Sequence, residues 1–575
     1  MVRGERQESE RLSCPWEIRL SALYSGRSFY VFSPQISRNG FSEIGASFHY
    51  FPNMNIHQSV ILVQALKNPA LYDHPVTHWQ VLETHISWVL LTGSFAYKIK
   101  KPVDLGFVDF STLEKRHTSC LEEVRLNKRL APELYMGVVH ISGSPERPIL
   151  GSGGPPIEYA VQMKQFPLEA TLDHVVTRGE LDPKHLDQLA IDIARFHGTI
   201  SVADAGSLFG TPKLIAKTVQ EVIEEISLQQ DVFLPQESFQ EILRWMGHEH
   251  ARLKSGFATR KAGGYIRECH GDMHLANLVL LQGQIVPFDG IEFSEPLRWI
   301  DVMNDLAFPV MDLMARGRSD LGYRLLNAYL EETGDYLGVS VFRYYQVYRA
   351  LVRAKVASIG LNQSGKDGNK TPVFAEQLHR YLTVARKSIR SNLTGIILMH
   401  GVSGSGKTTI SQSLLESIGA IRVRSDVERK RLFDVETTTR SRDEEQKRLY
   451  GQRATDETYQ RLLELTEILV DAGYPVIVDA TFLQERFRKN FQRLTKEHSI
   501  PFVIVDIHAS PSTIGKRVTA RLTKGQDASD ADVGVVLKQE QSQDPLTKSE
   551  MPYVVRIDSE EIFTPDAIRE MLTRK

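Results

Sequence analysis

Apolar and polar residues follow two different periods along this chain. After Met54, short apolar runs predict strands, and the segment SWVLLTGSFAYKIKK predicts a hairpin with TGSF at its turn. Apolar residues then recur at helical spacing in four later stretches, at 184–200, 237–253, 341–361 and 374–389. A sheet-rich lobe should therefore precede a helical lobe.

Breaks in this pattern divide the chain. The first 53 residues show no sustained periodicity, so we expect a poorly ordered extension there and regard Met54 as an alternative start to Met1. A polar stretch at 390–394 predicts the junction between two domains. The predicted parts are the extension over 1–53, one domain over 54–389 and a second over 390–575.

Composition limits the classes of function. The chain has 575 residues, too many for one hydrophobic core, and its net charge of -2 gives no bulk attraction to nucleic acid or membrane. Its three cysteines form no CxxC pair, and it has no apolar run long enough to span a bilayer. We expect a cytoplasmic protein without a membrane partner, whose oligomeric state the sequence leaves open.

The segment GIILMHGVSGSGKTTISQSLL combines an apolar strand, a glycine-rich loop and a helix, which is the Walker A pattern in its required context. Glycines let backbone N–H groups close around phosphate oxygens, and the helix adds its positive N-terminal end. Lys407 would contact the β- and γ-phosphates of ATP, and the Thr408 hydroxyl would hold Mg²⁺. The predicted nucleotide-binding residues are Gly401, Val402, Ser403, Gly404, Ser405, Gly406, Lys407, Thr408 and Thr409.

A short strand after this helix ends in Asp426 and, three residues later, Arg429. The pair resembles the acceptor-side Asp and Arg of polynucleotide kinases, gluconate kinases and zeta-toxin-like kinases. The resemblance implies that Asp426 orients or deprotonates the attacking hydroxyl and that Arg429 binds the acceptor or its phosphate. The alternative is a helix N-cap followed by a solvated basic helix face.

Two later features complete the predicted P-loop site. The apolar run YPVIVD ends in Asp479, which could orient Mg²⁺ or its water. Arg517 and Arg521 lie four residues apart on one helical face and resemble the arginine-bearing lid of the same kinases. A plain amphipathic helix is the alternative for these two arginines.

In the first domain, the stretch ECHGDMHLANLVLL contains HGDxxxxN, and a second apolar run ends in Asp289. These elements resemble the catalytic and metal-binding loops of aminoglycoside phosphotransferases and choline kinases. The resemblance implies that Asp272 lies near the acceptor hydroxyl and that Asn277 and Asp289 supply oxygen ligands to Mg²⁺. A hairpin with capped turns is the alternative.

The same resemblance requires an upstream lysine and glutamate. Alternation along FAYKIK puts Lys98 and Lys100 on one strand face, so either could reach the ATP phosphates, and Lys98 matches the family better. On the following helix, Glu123 matches the lysine-pairing glutamate. Asp301 and Asp305 resemble the aspartates of the helix after the metal loop, for which we expect a structural role.

The order of these motifs resembles bacterial bifunctional aminoglycoside phosphotransferase/ATP-binding proteins over residues 54–575. It implies a multidomain protein, with an α+β protein-kinase-like bilobal domain followed by an α/β P-loop NTPase domain built on a parallel sheet. The chain departs from protein kinases in the segment LTGSF, which has one glycine instead of a glycine-rich loop.

Three functions follow as hypotheses. The first is a bifunctional kinase that moves the γ-phosphate of ATP, with Mg²⁺, to hydroxyl groups of small molecules. In the second, the P-loop domain is a polynucleotide 5′-hydroxyl kinase with a nucleic-acid partner. In the third, one domain is a degenerate nucleotide sensor that regulates the other. No motif identifies either acceptor.

Overall fold

The computed structural model describes residues 54–76, 78–106, 108–151, 154–227, 236–363, 371–390, 393–435, 449–524 and 533–574. The extension expected over 1–53 lies outside these ranges. Within them, no helix is both long enough and apolar enough to cross a membrane.

The N-terminal lobe is built on an antiparallel sheet. Its strands are β1 Gln80–Glu83, β2 Ser87–Leu91, β3 Phe95–Lys100, β4 Tyr135–Ser144, β5 Arg147–Leu150 and β6 Glu158–Lys164. Their spatial order is β1-β2-β3-β6-β4-β5. Helices α1 Ile56–Ala65 and α2 Leu113–Asn127 pack on this sheet. The hairpin predicted from TGSF joins β2 to β3, where the Thr92 hydroxyl donates to the Phe95 carbonyl oxygen at 2.8 Å.

Two short antiparallel strand pairs carry the loops that follow this lobe. Strand β7 Ile266–Glu268 pairs with β10 Trp299–Asp301, and β8 Leu278–Leu281 pairs with β9 Gln284–Pro287. The HGD sequence leaves β7, and Asp289 comes just after β9. The pairing therefore fixes both loops at their strand ends.

A helical lobe follows. Its helices are α3 Leu172–Thr177, α4 Pro183–Thr199, α5 Pro212–Ser227, α6 Gln236–Ala262, α7 Glu295–Arg298, α8 Val302–Ala315, α9 Ser319–Thr333, α10 Val339–Gln363 and α11 Thr371–Ile389. The four stretches predicted from apolar spacing correspond to α4, α6, α10 and α11. Helix α8 is apolar on nearly every side and is buried along almost its whole length, so it forms the axis of this lobe.

The C-terminal domain contains a parallel sheet. Its strands are β11 Gly395–His400, β12 Ile421–Arg424, β13 Pro475–Asp479, β14 Phe502–His508 and β15 Val554–Asp558, in the order β12-β13-β11-β14-β15. The surrounding helices are α12 Lys407–Ile418, α13 Ser425–Leu432, α14 Gln452–Asp471, α15 Glu485–His498, α16 Pro511–Lys524, α17 Val533–Ser542 and α18 Asp566–Thr573. Continuous apolar runs are typical of parallel strands buried on both faces, and every residue of β11 is buried.

The helical lobe and the C-terminal domain share an apolar interface. Helix α9 packs against α12 and β12, while α10 packs against α14. One continuous buried cluster joins Leu326 on α9 to Val423 on β12 and Leu462 on α14. The predicted fold class, an α+β bilobal part followed by an α/β part with a parallel sheet, is confirmed.

Candidate active sites

The glycine-rich loop leaves the carboxyl end of β11 and enters α12. Gly401, Gly404 and Gly406 have φ values of 136°, 84° and 107°, a region that favours glycine. A Cβ atom on Gly401 would lie 2.6 Å from the carbonyl oxygen of Ile507, so a larger residue does not fit. The loop residues Ser403, Gly404, Gly406, Lys407, Thr408 and Thr409 line a cavity of about 750 Å³. Such a loop at a helix N-terminus offers backbone N–H groups to phosphate oxygens.

The side chain of Lys407 lies along this loop. Its Nζ donates to the carbonyl oxygens of Gly401 at 2.9 Å and Val402 at 2.8 Å. The ammonium group is therefore held at the loop to which the Walker A pattern assigns the phosphates.

The metal-binding candidates Thr408 and Asp479 line the same cavity. Asp479 ends β13, which is hydrogen-bonded to β11, and its Oδ2 accepts a hydrogen bond from the Ser411 hydroxyl at 3.1 Å. A hydroxyl and a carboxylate are oxygen ligands of the kind that Mg²⁺ prefers. The chemistry of this donor set therefore fits the ion.

The acceptor-side candidates lie in α13, and both line the cavity. Asp426 is in the first turn of the helix, whose N-cap is Arg424, and Arg429 is buried. Arg429 donates from Nη1 to the Leu449 carbonyl oxygen at 2.8 Å, and its guanidinium lies 4.9 Å from the centre of the Tyr450 ring. The alternative of an Asp426 N-cap before a solvated basic face is wrong.

Aromatic residues form part of the wall of the same cavity. Tyr459 stacks on Phe487 with ring centres 3.8 Å apart, and Tyr450 lines the same cavity. The Tyr459 hydroxyl accepts a hydrogen bond from the Phe482 N–H at 3.2 Å, which fixes the ring. Sequence reasoning missed these residues, because aromatic residues on separate helices form no motif.

Arg517, on α16, reaches the phosphate loop. Its Nη1 donates to the Ser405 carbonyl oxygen at 3.1 Å and to the Ser559 hydroxyl at 2.8 Å. Arg517 also lines the cavity, so its positive charge lies beside the candidate phosphate site. Arg521 belongs to the same helix, but its side chain lies outside the part of the chain that the structure describes.

The first domain brings together the residues that its motifs predicted. Lys98 Nζ lies 2.9 Å from Glu123 Oε1 and 2.5 Å from Asp289 Oδ1. The Asp289 side chain is 41% exposed, which leaves this carboxylate accessible to a ligand. Lys98 thus forms ion pairs with both Glu123 of α2 and the candidate metal ligand Asp289.

Lys100 has the same glutamate as a partner. Its Nζ lies 2.7 Å from Glu123 Oε2, and it also forms an ion pair with buried Glu292. Burial raises the pKa of Glu123, but the ammonium groups of Lys100 and Lys98 outweigh it and lower that pKa. Sequence reasoning missed Glu292, which follows the metal loop, because its lysine partner lies almost two hundred positions earlier in the chain.

The HGD loop positions Asp272 beside Asn277. Asn277 Nδ2 donates to Asp272 Oδ2 at 3.1 Å and to the Asp272 carbonyl oxygen at 3.0 Å. The Asn277 amide oxygen and the Asp289 carboxylate fit Mg²⁺ as hard ligands. Burial raises the pKa of Asp272, but His274 and Arg353 outweigh it and lower the pKa to about 2. Asp272 is therefore a carboxylate at neutral pH.

Asp305 contacts the backbone of this loop, and Asp301 lies in a separate buried ion pair. Asp305 accepts hydrogen bonds from the N–H groups of His270 at 3.1 Å and Gly271 at 2.9 Å. Asp301 forms a buried bidentate pair with Arg260 at 2.6 and 2.8 Å. These contacts agree with the structural role expected of both.

Parts of the chain are similar to solved structures of kinases. A choline/ethanolamine kinase family protein from Mesorhizobium loti is 14% identical, covers 57% of this chain and 98% of its own, and has a TM-score of 0.34. A gluconokinase from Sinorhizobium meliloti is 17% identical, covers 32% of this chain and 90% of its own, and has a TM-score of 0.21.

The chain is also similar in sequence to one protein family and to proteins of two mycobacteria. Residues 396–546 match the AAA domain family. Uncharacterised proteins of Mycobacterium tuberculosis and Mycobacterium bovis are each 31% identical to this chain over 476 residues, 82% of this chain and 92% of each relative. The family match and the described fold confirm the predicted fusion of a phosphotransferase-like domain with a P-loop kinase domain, and with it the prediction of a kinase.

Proposed function

This chain belongs to the family of those mycobacterial relatives, and we propose that it is a bifunctional ATP-dependent phosphotransferase that uses Mg²⁺ in both domains and hydroxyl compounds as acceptors. One observation carries the proposal. Around one cavity of the P-loop domain lie Lys407 for the phosphates, Thr408 and Asp479 for the metal, and Asp426 for the acceptor.

The P-loop residues suit transfer of the γ-phosphoryl group. Asp426 takes the proton of the acceptor hydroxyl while the acceptor oxygen bonds to the γ-phosphorus, and the bond from that phosphorus to the leaving ADP oxygen breaks. Lys407 and Arg517 stabilise negative charge on the transferring group and on ADP. Bound Mg²⁺ would supply further neutralisation of the phosphate oxygens, and Thr408 and Asp479 would hold it.

The first domain, which comprises the N-terminal and helical lobes and is called the kinase-like domain from here on, supports the same overall reaction with different residues. Lys98, oriented by Glu123, binds the ATP phosphates, and Asp272 accepts the proton of the acceptor hydroxyl. Asn277 and Asp289 would hold the metal. The two domains thus use separate lysines and separate proton acceptors.

A second candidate for the P-loop domain is a 5′-hydroxyl kinase that acts on nucleic-acid ends. The observation that favours it is the combination of Arg424 and Arg429 with an aromatic wall in one cavity. Arginines bind phosphates, and aromatic side chains stack on bases. A small acceptor that carries an anionic group and a flat apolar face would fit the same lining.

The test is phosphate transfer from radiolabelled ATP by the full chain in the presence of Mg²⁺. The acceptors are aminoglycosides, other sugars, nucleosides and 5′-hydroxyl oligonucleotides. Lys407→Ala and Lys98→Ala form a matched pair, since each removes one phosphate-binding ammonium from one domain. Transfer that is lost in only one variant assigns the acceptor to that domain. Nucleotide binding without acceptor-dependent ADP release would contradict the proposal and favour a nucleotide-sensing regulator.

A further inference from the structure

Strand β12 is at the edge of the parallel sheet, and helix α9 of the kinase-like domain covers that edge. Asn327 on α9 takes the place of a neighbouring strand. Its Nδ2 donates to the Ala420 carbonyl oxygen at 2.9 Å, and its Oδ1 accepts from the Arg422 N–H at 2.7 Å. The backbone of an edge strand in one domain is thus hydrogen-bonded by a side chain of the other.

Glu331, one helical turn after Asn327, adds an ionic contact. Its Oε1 accepts from Arg422 at 2.6 Å and its Oε2 from Arg424 at 3.3 Å. The side chains of Glu331 and Arg422 are only 16% and 6% exposed. Burial raises the pKa of Glu331, but the two guanidinium groups outweigh it and lower that pKa. A carboxylate of the kinase-like domain therefore balances two cations of the P-loop domain.

Arg422 continues this connection toward the metal-binding side of the cavity. Its Nη1 donates to the Ser411 hydroxyl at 3.2 Å, and that hydroxyl donates to Asp479 Oδ2 at 3.1 Å. Arg424, the other partner of Glu331, lines the cavity and directly precedes α13, which carries Asp426. The contacts of Glu331 thus lead both to the candidate metal ligand and to the acceptor side.

We propose that Glu331 is a positioning residue for the reaction of the P-loop domain, so that the kinase-like domain completes the active site of its neighbour. The inference rests on the proposed function of that domain. Glu331 keeps Arg422 directed at Ser411 and away from direct pairing with Asp479. Without the Glu331 charge, the Arg422 guanidinium competes with Mg²⁺ for the Asp479 carboxylate.

The test uses the full chain in an Asp289→Asn background, in which the kinase-like domain should bind nucleotide more weakly because it lacks the carboxylate of a proposed metal ligand. Calorimetric titrations with a non-hydrolysable ATP analogue are repeated over a series of Mg²⁺ concentrations. Glu331→Gln keeps the side-chain size and removes the charge. Arg422→Lys keeps the charge, but lysine lacks the planar guanidinium group that contacts both Glu331 and Ser411.

The matched control is Glu416→Gln. Glu416 pairs with Arg324 of α9 at 2.8 Å across the same interface, and it is not among the residues that line the cavity. This variant therefore removes an ion pair between the domains without touching the connection to Asp479.

Glu331→Gln and Arg422→Lys should each raise the Mg²⁺ concentration for half-maximal nucleotide binding by about 10- to 100-fold, as changes behind a metal ligand do. Nucleotide binding without Mg²⁺ should change less than about twofold. Glu416→Gln should leave the Mg²⁺ dependence unchanged. If Glu331→Gln has the same Mg²⁺ dependence of nucleotide binding as Glu416→Gln, and its melting temperature is unchanged, the inference is overturned. If Glu331→Gln does not fold, Arg422→Lys decides the question by the same measurement.

Failure of the proposed function gives a different result. The parent chain must show Mg²⁺-dependent binding of the analogue that Lys407→Ala abolishes. If it does not, the function proposed for the P-loop domain fails, whatever Glu331 does.

Discussion

Lys98 Nζ donates to Glu123 Oε1 at 2.9 Å, and Lys100 on the same strand shares this glutamate but has a different second partner. The second carboxylate beside Lys98 is the half-exposed Asp289, whereas Lys100 is enclosed with Glu292. The two lysines therefore lie on one strand face but have different surroundings.

Replacement of each lysine by methionine should separate a catalytic role from a structural one. Lys98→Met should lower phosphate transfer by the kinase-like domain about 10²-fold or more, because the ATP phosphates lose their ammonium partner. Lys100→Met should lower the free energy of unfolding by about 3–5 kcal/mol, because Glu123 and Glu292 lose a buried counter-charge. Transfer assays and denaturant titrations of both variants are the measurements. Equal loss of stability in both variants would show that Lys98 is structural as well.

Asp426 should act on the acceptor and not on the nucleotide. Asp426→Asn removes the proton acceptor but keeps the shape of the side chain, so turnover should fall about 10²-fold or more. Affinity for ATP should remain nearly unchanged. Calorimetry and steady-state kinetics together make the distinction. An equal loss of nucleotide binding would instead assign Asp426 to the metal or to the fold.

The chain should bind two nucleotides, since each domain supplies its own phosphate and metal ligands. Titration with a non-hydrolysable ATP analogue and Mg²⁺ should give a stoichiometry near two for the wild type. Lys407→Ala and Asp289→Ala should each reduce it to near one, and the double variant to near zero. A stoichiometry of one that survives Asp289→Ala and vanishes with Lys407→Ala would leave the kinase-like domain without a nucleotide.

Because of Asp305, the stability of the kinase-like domain should decrease at acidic pH. Burial raises the pKa of Asp305, but the hydrogen bond and charge of His197 outweigh it, and the pKa falls from 3.8 to about 2. A lowered native-state pKa stabilises the fold above the unfolded value, and that contribution is lost as the pH falls through the native value. The free energy of unfolding should therefore decrease between about pH 4 and pH 2.

Asp305→Asn should be less stable at neutral pH and should show a weaker pH dependence in this window. Denaturant titrations at several pH values compare it with the wild type. Asp204→Asn, at an exposed loop position, is the control for the loss of a carboxylate in itself. If the two variants have the same pH dependence, the contacts of Asp305, including the one with His197, do not contribute to acid stability.

The sequence predicts those parts of the sites whose functional residues lie close together in the chain. The Walker A segment holds its strand, loop and helix within one short stretch, so it predicted both the local structure and the lysine. Alternation along β3 predicted that Lys98 and Lys100 share a face, and both contact Glu123. The alternation could not rank them, because the difference lies in Asp289 and Glu292, which reach the strand from far along the chain.

The contacts between the two domains correspond to no recognisable pattern in the sequence. Arg422 alternates with apolar residues in a short strand and is an ordinary strand residue by that criterion. Its partner Glu331 occupies one position of an amphipathic helix, where a charged residue predicts a solvated face. Burial of both side chains depends on the packing of α9 against β12, which neither segment encodes alone.

Because helix α9 covers strand β12, the interface between them is a second place at which an inhibitor would act on the P-loop domain. A small molecule wedged between these two elements would dislodge Arg422 and Arg424 without entering the nucleotide cavity. By the role proposed for Glu331, such an inhibitor would weaken Mg²⁺-dependent nucleotide binding, and an excess of Mg²⁺ would oppose it. Helix α9 belongs to the kinase-like domain, so the effect of such an inhibitor on the P-loop domain would depend on the contact between the two domains.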